Sequence, residues 1–141
     1  MNFGKTIKIF LIDSVPSGRM TCELSNWTGK AYKIPRIMLK DCRDREDLAN
    51  STAVYILFGK NKDDNDMAYI GEAEDILVRL KQHLDAKDFW NEVIVFISKD
   101  ENLNKAHIKY IESRLCELAK SVDRYELDNG NMPSLPKVSE T

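Results

Sequence analysis

The apolar positions of this chain fall into short runs separated by charged or turn-forming residues. Residues 5–12, K-T-I-K-I-F-L-I, are rich in β-branched and aromatic side chains and predict a strand. P-S-G at Pro16 to Gly18 marks a turn. Residues 19–24 and 30–34 predict two further short strands, split by S-N-W-T-G at Ser25 to Gly29. Residues 41–50, D-C-R-D-R-E-D-L-A-N, are dense in both charge signs and predict a solvated short helix or connector. Residues 53–58, A-V-Y-I-L-F, are apolar without a break, which suits a strand buried on both faces. The loop G-K-N-K-D-D-N-D, Gly59 to Asp66, is short enough to close a hairpin onto residues 67–70.

The period then becomes helical. From Glu72 to Leu84, Ile76, Leu80 and Leu84 recur every four residues, and Leu77 widens the stripe. Glu72, Glu74 and Asp75 are expected in the first turn, where acidic groups suit the helix dipole. Residues 93–98, V-I-V-F-I-S, predict another buried strand. Asn104 to Ser121 predicts the longest helix, with Ile108, Ile111, Leu115 and Leu118 as its core stripe. The order hairpin, helix, strand, helix predicts an α+β fold, a small mostly antiparallel β-sheet flanked by helices with a short β-rich N-terminal extension. The expected organisation is extension and connector over 1–50, a central domain over 51–127, and a tail or linker over 128–141, which has turn residues and two prolines but no periodic core.

Charge changes this picture only locally. Residues 1–40 carry seven Lys/Arg against two Asp/Glu, whereas residues 41–141 carry fourteen against twenty-one, giving the net −2. A basic N-terminal part permits contact with a polyanion through one face, Lys30, Lys33 and Arg36 being the candidates. No apolar run approaches the roughly 20 residues of a membrane span, so no membrane association is expected. The N-terminus lacks a signal-peptide pattern, and Cys22, Cys42 and Cys116 form no C-x-x-C pair. Reduced, packing cysteines in a cytoplasmic protein are expected. No phosphate-binding or dinucleotide glycine motif occurs, so no organic cofactor is expected. The D-D-N-D run at Asp63 to Asp66 lacks the order of a calcium loop.

The polar groups that can converge are few. Antiparallel pairing with Tyr55 opposite Tyr69, hence Phe58 opposite Asp66, puts both rings on one face. A one-residue slip separates them, and the sequence alone does not fix the register. Arg79 and His83, four apart, share one face of the helix. The structural alternatives are an Arg79–Asp75 pair and a cationic His83 at the helix C-terminus. Glu112 lies at the edge of the second helix's stripe, where it either turns towards a cleft or pairs with Lys109 in solvent.

V-Y-I at Val54 to Ile56, Y-I-G at Tyr69 to Gly71, an arginine ten residues after the second tyrosine, a histidine four later, and Y-I-E at Tyr110 to Glu112 together resemble the GIY-YIG nuclease superfamily over residues 51–127. Residues 25–36 look like the lead segment of some bacterial members. The resemblance implies endonuclease-type hydrolysis of DNA phosphodiester bonds dependent on Mg²⁺ or Mn²⁺. It implies Tyr55 as general base or water-positioning group, Tyr69 as its support, Arg79 as the phosphate holder, His83 as a proton-transfer or phosphate group, and Glu112 as the metal ligand. Lys60 is a further candidate for substrate contact. The chain departs from the pattern at Ala53, where the family has its first glycine, and the family's late asparagine has no assigned counterpart among Asn129 and Asn131. The alternative function is a catalytically inactive module of the same fold that binds DNA or a protein partner.

Overall fold

The computed structural model describes residues 4–25, 29–49, 51–98, 113, 116 and 125–128. They form an α+β fold built on one mixed sheet of seven strands. The strands are β1 (Ile7–Leu11), β2 (Met20–Leu24), β3 (Gly29–Pro35), β4 (Ala53–Lys60), β5 (Asp66–Ala73), β6 (Trp90–Ser98) and β7 (Glu126–Leu127). Their order is β1-β2-β3-β6-β4-β5-β7, and every pairing is antiparallel except β5 with β7. A 3-10 helix (Arg36–Asp44) follows β3, and α1 (Ile76–Ala86) joins β5 to β6. Residues 1–50 thus contribute three strands to the same sheet, through the pairing of β3 with β6.

Strand alternation decides what is buried. Tyr32 and Ile34 of β3, Ala53, Tyr55 and Leu57 of β4, and Val93, Val95 and Ile97 of β6 form one apolar face. Leu39 and Cys42 of the 3-10 helix, Leu48, and Ile76 and Leu80 of α1 pack into the same core. On the opposite face Val54, Ala68 and Ile70 are also buried, and Phe58 meets Tyr125 edge-on at 5.5 Å. The unbroken apolar run of β4 therefore serves two faces, as expected of an inner strand.

Two expectations shift. The register of β4 and β5 places Tyr55 opposite Gly71 and Leu57 opposite Tyr69, two residues from the pairing considered from the sequence, so Phe58 faces Ala68 rather than Asp66 and both tyrosines stay on one face. The hairpin tip explains this. Asn61 Oδ1 accepts from the backbone N–H groups of Asp63 and Asn65, and Asp64 takes φ 63°. That tight turn lets the strands extend to the Lys60–Asp66 pair. Helix α1 also starts later than expected. Glu72 stays in β5, and Asp75 is the N-cap, its carboxylate accepting from Val78 N at 3.3 Å, so no acidic residue occupies the first turn. The predicted stripe of the second helix lies outside the described residues, of which Ser113 and Cys116 are helical and buried.

The C-terminus of α1 is tied to the N-terminal strands by one side chain. Arg36 donates to the carbonyls of Leu84 at 2.7 Å, Lys87 at 2.9 Å and Trp90 at 3.3 Å, and its guanidinium lies 4.6 Å from the Trp90 ring centroid. Leu84 and Lys87 lie at the helix end, which leaves its last carbonyls unsatisfied, and Trp90 opens β6. Arg36→Ala is therefore expected to destabilise the fold by about 2–3 kcal/mol, with Arg36→Lys recovering only part of it, because an ammonium cannot fork across three acceptors. Urea unfolding of the three proteins checks this.

Candidate functional site

Because residues two apart on a strand share a face, a shift of two keeps both tyrosines together. Tyr55 and Tyr69 lie on the helix-bearing side of the sheet with ring centroids 6.1 Å apart. Gly71 makes this possible. A Cβ at that position would stand 2.5 Å from Tyr55 Oη and 2.9 Å from the Tyr69 ring. Tyr55 thus lies across its bare cross-strand partner, and Tyr69 leans on it from two residues away.

Helix α1 brings the third ring. Tyr55 Oη is 2.6 Å from His83 Nε2, and the imidazole packs 5.5 Å from Tyr55 and 5.2 Å from Tyr69. Tyr55 is fully buried, His83 is 7% exposed, and Tyr69 is partly open. Burial, then the charges of Lys87 and Arg79, push His83 down to about 4, against a smaller opposing pull from Asp128. Burial and the neighbouring Tyr69 raise Tyr55 above the ordinary phenol range, while the Arg79 guanidinium acts the other way. At neutral pH the pair is consequently a phenol and a neutral imidazole. With the phenol O–H as donor, Nε2 accepts and the imidazole proton sits on Nδ1. Nδ1 is buried with no partner among the described residues.

Arg79 sits one turn before His83 and donates to the Glu72 carbonyl at 3.3 Å. It lines an open cleft of about 290 Å³ with Glu72, Glu74, Asp75, Val78 and Gln82. Arg79 and Asp75 form no ion pair, the Asp75 carboxylate capping the helix instead, and burial with the Lys87 and Arg79 charges works against a cationic His83 at the helix end. The structure brings Tyr55, Tyr69, Arg79 and His83 together. It does not bring Lys60 to them: five residues along β4, about 17 Å away and on the other side of the strand, Lys60 pairs with Asp66 at 3.1 Å. Glu112, Asn129 and Asn131 lie outside the described residues.

Two residues of the cluster went unrecognised in the sequence. Lys87 Nζ lies 4.4 Å from the Tyr69 ring centroid and pairs with Asp128 at 2.5 Å. The four-residue series Arg79, His83, Lys87 was the available signal. Asp128 had none, because it arrives through the parallel pairing of β7 with β5. Lys30, Lys33 and Arg36 prove to be engaged internally. Lys30 pairs with Asp47, Lys33 with Glu92, and Arg36 caps α1.

No group of three or more His, Cys, Asp or Glu side chains able to hold a metal ion occurs among the described residues. Mg²⁺ asks less of a protein, since one or two carboxylates with water and phosphate oxygens suffice. A single glutamate such as Glu112 fits that chemistry.

Two outcomes follow. Gly71→Ala is expected to push the two rings apart and destabilise the fold by about 1–3 kcal/mol, read by urea unfolding and by loss of the Tyr55–His83 contact in NMR. The second concerns pH. Unfolded, His83 takes a proton near 6.5, whereas folded it does so near 4. Between these values the unfolded chain binds more protons, so stability is full above about 6.5 and falls as pH drops towards 4, by up to about 3 kcal/mol. Unfolding free energies of the wild type and His83→Gln across this window check it, with the variant showing the flatter profile. Among known proteins, no family model, no curated protein and no solved structure matches the chain, so the chemistry of the site is argued from its own residues.

Proposed function

We propose that the chain is a GIY-YIG-type endonuclease domain that hydrolyses DNA phosphodiester bonds with Mg²⁺ or Mn²⁺. The observation that carries this reading is the convergence of Tyr55, Tyr69 and His83 beside Arg79, with the phenol of Tyr55 2.6 Å from His83 Nε2. His83 Nδ1, buried with no partner among the described residues, is consistent with it.

In this reading Tyr55 does not wait as a phenolate. As water attacks phosphorus and the P–O bond to the leaving sugar oxygen breaks, Tyr55 Oη takes the water proton while passing its own to His83 Nε2, and the leaving oxygen takes a proton from solvent. A transient imidazolium results, and no standing charge is needed in the buried pair. Negative charge brought by the phosphate favours that imidazolium. Arg79 offers paired donors to the phosphate and offsets the charge that grows in the transition state. A divalent cation held by Glu112 would polarise the phosphoryl oxygen.

One observation favours a second reading, a silent module of the same fold. Tyr55 is fully buried, so water reaches it only if Tyr69 or its surroundings move. Cleavage of supercoiled, single-stranded and branched DNA with Mg²⁺ or Mn²⁺ separates the two. The nuclease reading expects activity in the wild type, a loss of about 10²–10³ in Arg79→Ala, and losses at least as large in Tyr55→Phe and Glu112→Ala. A wild type that cleaves none of these substrates would establish the silent module, and equal activity in all four proteins would mark a contaminant.

A further inference from the structure

Several cations of the N-terminal half are engaged within the molecule. Arg19 forks onto Asp13, and Lys30, Lys33 and Arg36 are held as described above. Three that are not engaged in this way meet in one place. Lys40 and Arg43 of the 3-10 helix and Lys81 of α1 rim a cleft of about 130 Å³ whose floor is Leu39 and Leu77. None of the three has an ion pair among the described residues. Asp41, Asp44 and Asp85 stand on the same elements but do not line the cleft.

Three cations around a small apolar floor have no ion-pair partner among the described residues. The leucines keep water from one side, which strengthens attraction to an anion in the cleft. The size suits a phosphate group, and among the described residues no side-chain acceptor or aromatic lines the cleft to read a base. The cleft also shares α1 with the cluster, because Leu77 and Lys81 line it while Val78, Arg79 and Gln82 line the neighbouring one.

We infer that Lys40, Arg43 and Lys81 form a phosphate-backbone site for DNA, distinct from the catalytic cluster, that seats the duplex across α1 without sequence preference. The choice of DNA rests on the nuclease reading, whereas the existence of a polyanion site rests on the cleft itself. Such contacts give affinity that falls with salt, with a slope of about 0.9 per phosphate neutralised.

The test is fluorescence anisotropy with labelled duplex DNA in EDTA, so that binding is read without cleavage. The wild type is compared with Lys40→Gln/Arg43→Gln/Lys81→Gln across 50–200 mM salt. A charge-matched control, Lys5→Gln/Lys8→Gln/Lys62→Gln, removes three cations elsewhere. The site predicts binding weaker on the order of 10²-fold in the triple variant near 100 mM salt, a slope lower by about 2.7, and little change in the control. Lys81→Glu alone, with thermal unfolding unchanged, provides a second variant whose weakened binding supports the site. A wild type that does not bind DNA at low salt overturns the proposal, and so does a triple variant that binds with the wild-type slope, or one no weaker than the control. Retention of anionic lipid vesicles, but not DNA, by the wild type also overturns it. A wild type that binds DNA through these residues yet never cleaves leaves this site standing while the nuclease reading fails.

Discussion

A single hydrogen bond, between the Tyr55 phenol and His83 Nε2, joins an inner strand to the helix that covers it, and the arrangement of the site depends on it. The bond is short, buried and between two neutral groups. It requires a strand partner without a side chain, which Gly71 supplies, and a helix that starts late enough to bring its third turn over the tyrosines, which the Asp75 cap sets. It also needs the helix end held in place, and Arg36 does that from the other half of the sheet. The N-terminal strands are thus part of what positions His83.

The same constraint shapes the electrostatics. Arg79 and Lys87 stand one turn either side of His83, and both charges disfavour an imidazolium until a negative group arrives. Arg79 favours a more acidic Tyr55, against the larger effect of burial. The resting pair is therefore uncharged, and a bound phosphate is the kind of ligand that shifts the balance. Asp128 partly performs this role already, through Lys87.

Much of the fold was legible because strands and helices write their periods into the chain. The uninterrupted A-V-Y-I-L-F run marked β4, and the spacing of Ile76 and Leu80 marked α1. The even-numbered offset between Tyr55 and Tyr69 was readable as a shared face, but not as a register. The register was set by Asn61 and Asp64 at the turn, whose hydrogen bonds no periodicity encodes. Arg79 and His83 were legible from helical spacing. Lys87 was available in the same helical series, whereas Asp128 depended on β7 returning to β5, a contact between residues about sixty apart. The basic N-terminus was visible as a charge imbalance. Which cations are engaged internally and which converge on a cleft is a tertiary fact.

The most direct test of the Tyr55–His83 bond is long-range ¹H–¹⁵N NMR of His83 across pH. The account predicts a neutral imidazole at pH 7 with the proton on Nδ1, an unprotonated Nε2 that loses its hydrogen-bond shift in Tyr55→Phe, and protonation only near pH 4. A His83 that carries its proton on Nε2, or titrates near its ordinary value of 6.5 and is indifferent to Tyr55→Phe, would contradict it.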